Sequence, residues 1–348
     1  LRQPRPGSGA DPRQEEPRGR PTLKTIAYMT GLGVTTVSRA LKDAPDIAEQ
    51  TKERVRLVAK QLGYMPNRAG VRLRTGKTNV IALLLSVDEE IMGMTSQMIF
   101  GISDELAGTP YHLVLMPQPP GADPMTAVRY VLDTGSADGI IISRIAPDDA
   151  RIRFLLDRNF PFAAHGRMET CTDFPFHDFD NEAYGYEAVE RLFQQGRKRI
   201  AALQPPGHLT YYRYFRNGFE KGLRAFKAEE IPLTSVSTDS SLADIRERLS
   251  GMLGAPDKPD GIVACSGGSA VSILAAIRAA GLTLGNEIDL VAKQPADFLN
   301  WINPAIITMS EDFRQAGREL ARAVLERIND PTSPPHHSIS KPDWRKQD

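Results

Sequence analysis

The period of the apolar positions changes along this chain. Between Pro21 and about Leu62 they recur at intervals of three and four, the spacing of a helical face. Ile26, Met29 and Thr30 share one such face, Val34, Val37, Ser38 and Leu41 a second, and Val55, Val58 and Leu62 a third. Gly31-Leu32-Gly33 separates the first two segments, which predicts two short helices joined by a tight turn. Thr22 is placed to cap the first helix by accepting a backbone N–H, although Thr25 stands where a capping box usually has an acid. Pro45-Asp46 breaks the chain before a third helix near Ala48–Leu62, which Gly63 ends.

After Thr78 short apolar runs alternate with amphipathic stretches. Strands are predicted at Val80–Val87, Tyr111–Met116, Gly139–Ser143, Pro161–Ala164, Ile200–Leu203, Val236–Thr238, Gly261–Ala264, Leu290–Ala292 and Ile306–Met309. Helices are predicted at Met98–Ala107, Met125–Leu132, Ala183–Gln194, Phe215–Lys227, Ala270–Ala280 and Phe313–Arg327. Continuous apolar strands alternating with helices indicate parallel sheets covered on both faces. This region is too long for one small doubly wound unit, so the fold class is α/β with two lobes. The division reads as a disordered extension (1–20), a helix-turn-helix unit (21–64), a basic hinge (65–78) and a two-lobed domain (79–348).

Charge sharpens that division. The whole chain of 348 residues carries 43 Lys+Arg and 43 Asp+Glu and is formally neutral. Residues 1–77 hold 16 basic and 7 acidic residues, a net +9, and the remainder is therefore −9. A basic end on an acidic body suggests a nucleic-acid module. No apolar run reaches the ~18 residues of a membrane helix, so no membrane partner is expected. Residues 1–20 also lack the apolar core of a secretory signal, and the expected compartment is the cytoplasm. Cys171 and Cys265 are too few for a disulfide framework.

In a helix-turn-helix the second helix enters the major groove. Here Thr35 and Ser38 could bond bases or phosphates, Val34 could touch a thymine methyl, and Arg39 could reach a guanine or phosphate. The competing reading is a three-helix bundle that binds protein. The strings TLK-x-IA, VTTVSRAL, TKERV, LGYMPN and LRTGKTN-x-IAL, in that order over Thr22–Gly76 and just beyond, resemble the N-terminal region of the lactose-repressor (LacI/GalR) family of bacterial transcription factors. The α/β remainder extends the resemblance to about residue 345. It implies DNA contacts by Thr22, Thr35, Ser38, Arg39, Thr51 and Asn67, with Arg68 in the basic hinge. It also implies a hinge helix that forms on DNA and wedges Leu73 into the minor groove; packing of Leu73 on the next domain is the alternative. Gly70 and Val71 depart from the family's usual Ala and polar residue, and Gly lowers helix propensity by ~1 kcal/mol.

For the remainder the resemblance implies a periplasmic-binding-protein-like core that binds a small effector, often a sugar, between its lobes, and a homodimer on a palindromic operator. Ser136–Ile141, Phe179-Asp180-Asn181, Gly218-Phe219 and Asn303–Thr308 carry that part of the match, and the expected role of Asp180 and Asn181 is structural. Pocket positions depart from the family. Cys265-Ser266-Gly267-Gly268 replaces the usual Asn-Asp, Lys293-Gln294 replaces Tyr-Asp, and Phe215 stands where the family has Arg. The candidates by position are Asp88, His165, Arg167, Arg213, Arg216, Ser266, Lys293, Gln294 and Trp301. For each, a surface ion pair or a core role competes. His165-Gly166-Arg167 and Lys293-Gln294 resemble, more loosely, repressors from oligosaccharide or α-glucoside loci.

No HExxH, P-loop or Gly-x-Ser-x-Gly string occurs, so no catalytic role, cofactor or metal is expected. His336-His337 is weak as a metal site, and Asp148-Asp149 and Glu229-Glu230 read as solvated loop carboxylates. The alternative function is a sugar-binding or sugar-modifying protein on the same fold.

Overall fold

The computed structural model of the chain describes residues 20–65, 72, 76–86, 93–119, 121–294 and 298–344. The chain divides into two compact units, the boundary falling between Lys77 and Thr78.

The first unit holds helices α1 (Leu23–Thr30), α2 (Val34–Ala40) and α3 (Glu49–Gln61). Ile26, Val37, Ala40 and Val55 form its buried centre. The capping box at Thr22 is complete despite the missing acid. The Thr22 hydroxyl accepts the Thr25 N–H at 3.3 Å, and the Thr25 hydroxyl accepts the Thr22 N–H at 3.1 Å. A second hydroxyl thus does the work expected of a carboxylate. Gly31 ends α1 in the left-handed region at φ 69°, a conformation that a side chain disfavours. Asp43 turns the chain after α2, and its carboxylate binds Lys52 at 3.0 Å and Arg56 at 2.7 Å.

The second unit contains two mainly parallel sheets. The first is built from β1 (Val80–Ser86), β2 (His112–Gln118), β3 (Gly139–Ser143), β4 (Phe162–His165), β5 (Phe176–Phe179) and β11 (His337–Ser340), in the order β11-β5-β4-β3-β1-β2. The second is built from β6 (Arg199–Leu203), β7 (Glu229–Glu230), β8 (Gly261–Ala264), β9 (Asp289–Gln294), β10 (Ile307–Ser310) and β12 (Asp343–Trp344), in the order β12-β10-β9-β8-β6-β7. Among the pairings, β12 runs antiparallel to β10 and the others are parallel. Ile140, Ile141 and Ile142 are all fully buried, as expected of a strand covered on both faces. Around the sheets pack α4 (Met94–Leu106), α5 (Met125–Thr134), α6 (Ala150–Asp157), α7 (Asn181–Gln194), α8 (Thr210–Phe226), α9 (Leu242–Leu253), α10 (Gly267–Ala279), α11 (Phe298–Ile302) and α12 (Phe313–Asn329).

Each lobe contains one helix pair brought together at glycine. A Cβ on Gly101 of α4 would lie 1.9 Å from the Arg314 carbonyl oxygen of α12. A Cβ on Gly218 of α8 would lie 1.8 Å from the Glu182 carbonyl oxygen of α7. The chain passes between the lobes three times: from β5 to α7, from β10 to α12, and from β11 to β12.

Several sequence expectations are corrected. Val236–Thr238 is not a strand; the edge beside β6 is taken by Glu229–Glu230. The Thr238 N–H instead bonds the carbonyl of Gln204. Glu229-Glu230 is therefore β7 rather than a loop, and Glu230 holds Arg216 through both carboxylate oxygens at 2.5 and 2.7 Å. Asp149 is 5% exposed rather than solvated. It caps α6 through the Arg151 N–H and pairs with the Arg151 side chain at 2.7 Å. Strand β5 and helices α6, α9 and α11 were not predicted, nor were the terminal strands β11 and β12.

Candidate functional site

On the first unit, α2 buries Val37 and Ala40 and leaves Val34, Thr35 and Arg39 exposed, with Ser38 half-buried beside them. Spacings of one, four and five put those side chains on one outward stripe. Thr22 is exposed at the N-cap of α1, and Thr51 is half-buried in the first turn of α3. The Arg39 guanidinium lies 2.5 Å from Asp46, and both side chains are about half exposed. A pair so exposed adds little stability and leaves the guanidinium available to a competing anion. Asn67, Arg68 and Leu73 lie outside the described residues, as does Asp88.

In the second unit the strand ends of the two sheets face each other. Register places Ser143, His165 and His177 side by side at one end of the first sheet. In the second sheet Leu203, Ala264 and Ala292 are level, with Lys293 one step further. Where β4 and β5 approach β9 and β10, a buried polar cluster spans the crossings. Lys293 extends its ammonium to Glu311 at 2.8 Å and to the Asn181 side-chain oxygen at 3.3 Å, 4.7 Å above the Phe179 ring. Arg167 pairs with Asp178 at 2.8 Å and stacks 4.2 Å from the centre of the Tyr214 ring. Asp180 caps α7 through the Ala183 N–H, and buried Asn181 donates to the Phe179 carbonyl.

Burial dominates the proton affinities here. Asp178 is pushed up to about 6 by loss of solvent, against the pull of Arg167. His165 is held at about 4 by burial and by the Lys293 charge, and His177 at about 4 by burial and then by His165. Both rings are therefore neutral at pH 7 and can donate or accept one hydrogen bond at each nitrogen. Burial also raises the Cys265 thiol, which makes it unreactive.

Of the residues singled out in the sequence, the fold gathers His165, Arg167 and Lys293 at the facing strand ends, with Arg213 at the margin. Arg213 is half exposed and binds Glu169 at 2.6 Å. The others are engaged in other contacts or lie on the surface. Gln294 is fully buried, with its amide bonded to Asn300 and to the Leu299 N–H. Ser266 caps α10 in a capping box with Ser269. Arg216 is held by Glu220 and Glu230. Trp301 stands on α11 with 85% of its surface exposed. Asp178, Asn181, Tyr214 and Glu311 join the cluster without having been singled out for it, because their roles come from partners distant in sequence. An open groove of about 490 Å³ lies beside the cluster, lined by Arg167, Glu182, Tyr186 and Lys221 among others. Among the described residues no three His, Cys, Asp or Glu side chains are grouped to hold a metal. No described helix is long and apolar enough to cross a membrane.

Comparison with known proteins places both units. Residues 22–67 match the family described as bacterial regulatory proteins, lacI family, and residues 189–346 match a periplasmic binding protein-like domain. The HTH-type transcriptional regulator AglR of Rhizobium meliloti is 32% identical over 340 residues, covering 93% of this chain and 92% of that protein. A structure of the lac repressor dimer bound to operator and an anti-inducer superposes with a TM-score of 0.81 at 22% identity, covering 94% of this chain and 98% of that one. A structure of the transcriptional regulator CelR in complex with cellobiose superposes with a TM-score of 0.67 at 24% identity, covering 94% and 99%.

Proposed function

The chain belongs to the LacI family of bacterial regulatory proteins and is a DNA-binding transcriptional regulator; we propose that it is a dimeric, cytoplasmic repressor controlled by a carbohydrate effector. The observation that carries this reading is the outward polar stripe of α2 on a chain that also contains a two-lobed cleft. Val34, Thr35, Ser38 and Arg39 read the major groove, while Thr22 and Thr51 contact phosphate. Asn67 and Arg68 add backbone contacts, and Leu73 wedges the minor groove, where unstacking is offset by the bend it permits. Two copies on a palindrome match the symmetry of the protein to that of the site.

The effector binds between the facing strand ends, where His165, Arg167, Lys293 and Arg213 offer donors and neutral imidazole to sugar hydroxyls. The cellobiose complex of CelR supports this class of ligand. Binding shifts the population of open and closed lobes, which requires different affinities in the two states. Lobe motion then alters the separation of the two hinges and with it operator affinity.

Two measurements test the reading. Binding to a palindromic operator selected from random sequence should weaken roughly a thousandfold or more between 50 and 200 mM salt. Arg39→Ala should cost about 1–3 kcal/mol on the selected site and little on unrelated DNA. A salt-insensitive complex refutes the electrostatic part of the reading, and equal losses on both DNAs refute base readout by Arg39. A thermal-shift screen over oligosaccharides including cellobiose, sugar acids and sugar phosphates should reveal a stabilising ligand; an unchanged melting temperature with all of them, in protein that still binds its operator, refutes a carbohydrate effector.

A further inference from the structure

The two lobes touch through a set of contacts, of which those made by Arg144 and Ile145 have no part in the effector reading. All of them join two short loops of the first lobe to the start of α8 and the loop before α9. The Arg144 guanidinium donates to both carboxylate oxygens of Asp239, one of them at 3.1 Å. The Ile145 carbonyl accepts the Thr210 N–H at 2.9 Å. Glu169 binds Arg213 at 2.6 Å, and Arg167 stacks on Tyr214. Thr210, Arg213 and Tyr214 stand at i, i+3 and i+4, so one face of α8 receives three of the four contacts.

The first-lobe side is built to present these groups. Arg144 has φ 59°, an unusual conformation for a residue with a side chain. It is held there by Arg151, whose guanidinium donates to the carbonyls of Ser143 and Arg144, each at 3.0 Å. Arg151 is fixed in turn by buried Asp149, which also accepts the Ala146 N–H at 3.1 Å. The second loop is tied to the first by the Glu169 N–H on the Pro147 carbonyl at 3.1 Å. On the facing side, Leu209 leaves α8 without a side-chain cap. A carbonyl from the opposite lobe therefore supplies the partner that the helix end lacks.

We propose that the 143–149 loop is an interlobe latch, docking Arg144 and the Ile145 carbonyl onto Asp239 and the first turn of α8 and so setting the balance between open and closed lobes. Its ion pairs are partly exposed, so the latch biases closure without locking it. A ligand that adds a few contacts across the cleft then completes the shift. The consequence for ligand affinity rests on the effector reading above; the effect on closure does not.

The test is a distance between lobes in the full chain with no sugar present. Nitroxides are placed at Asp157→Cys on α6 and Glu247→Cys on α9, both exposed, in a Cys171→Ser background diluted with unlabelled protein. Arg144→Ala and Asp239→Ala should each lower the closed population about 3- to 10-fold, as expected for loss of a partly solvated bidentate pair. The swap Arg144→Asp with Asp239→Arg should restore it. Thr210→Pro supplies a second, backbone test. Proline is favoured at the first helical position, and the extended Leu209 before it (φ −99°, ψ 147°) suits that substitution. It removes the N–H given to Ile145 and a buried hydroxyl that has no hydrogen-bond partner, and it too should open the lobes. Unchanged distances in the single variants overturn the proposal, as does a swap no better than either alanine. These distances involve no effector, so a failed sugar screen leaves them standing, and unchanged distances leave the effector reading intact.

Discussion

Acid should destabilise the second unit through two neutral histidines. His177 is 4% exposed, with Nδ1 2.8 Å from the Ser338 hydroxyl, and its ring stacks 6.1 Å from that of His165. Burial holds both rings at about 4, below the ordinary 6.5. Because these values are depressed in the fold, the unfolded chain takes up protons first as the pH falls. The stabilisation is complete above about pH 6.5 and is lost progressively toward pH 4. At about 1.4 kcal/mol for each pH unit between the two values, each ring accounts for about 3 kcal/mol at the lower end. Asp178 acts in the opposite sense. Its carboxyl, raised to about 6, keeps its proton in the fold and offsets about 3 kcal/mol over the lower part of that range. The expected net loss by pH 4 is therefore about 3 kcal/mol, a large part of a typical ~5–15 kcal/mol domain stability. The carboxylate Asp104, held at about 2 by Arg314 and Arg318, responds only below its ordinary value of 3.8, so the window from pH 6.5 to 4.5 reads the histidines together with Asp178. Both tryptophans, Trp301 and Trp344, belong to this unit, so urea unfolding followed by tryptophan fluorescence reports on it in the full chain. The urea midpoint should fall steadily across the window. His177→Gln, which keeps a hydrogen-bonding group but cannot titrate, leaves one histidine opposed by Asp178 and should fall little below pH 6. A midpoint independent of pH, or a variant as steep as the parent, would refute the reasoning.

Three further outcomes follow from local structure and packing. Gly218→Ala should lower the melting temperature by several degrees, because its Cβ would meet the Glu182 carbonyl at 1.8 Å and helices separated by one methyl cost about 1–3 kcal/mol. Gly251→Ala on α9, where nothing lies within 4 Å, should instead be stabilising by about 0.5–1 kcal/mol; equal effects at the two sites would undo the close-approach argument. Trp344→Ala should destabilise by about 2–4 kcal/mol, since the ring stacks on Tyr184 at 5.9 Å beneath Arg191. Denaturation of that variant at the parent's urea midpoint would show that the last crossing is not anchored by this residue.

Much of the architecture was legible because it depends on local rules. The three short helices announce themselves by period and by the turn at Gly31, and strands such as Gly139–Ser143 and Gly261–Ala264 are continuous apolar runs with the predicted bounds. Strand β5 was invisible because His177 and Asp178 interrupt its apolar pattern. They are tolerated inside because Ser338 and Arg167 meet them there. Strands β11 and β12 are short polar segments that become strands by pairing with β5 and β10. Asp149 looked like one half of a solvated acidic pair, yet Arg151, two residues on, draws it inside. Of the residues expected at the effector site, His165, Arg167 and Lys293 converge, while Gln294 and Ser266 are engaged by their own loops and helices.

Taken by itself, the amino-acid order determined a basic helix-turn-helix end, an acidic α/β body and the family resemblance that joins them. These rest on spacing, net charge and short motifs, all properties of neighbouring residues. Only the tertiary structure decided which charges meet. It placed Lys293 between Glu311 and Asn181, set Arg167 against Asp178 and Tyr214, and turned Arg144 across the cleft to Asp239. Those pairings span up to 112 residues in sequence. The pairings of Arg167 with Tyr214 and of Arg144 with Asp239 join the ends of two separate sheets, a juxtaposition that no local pattern encodes.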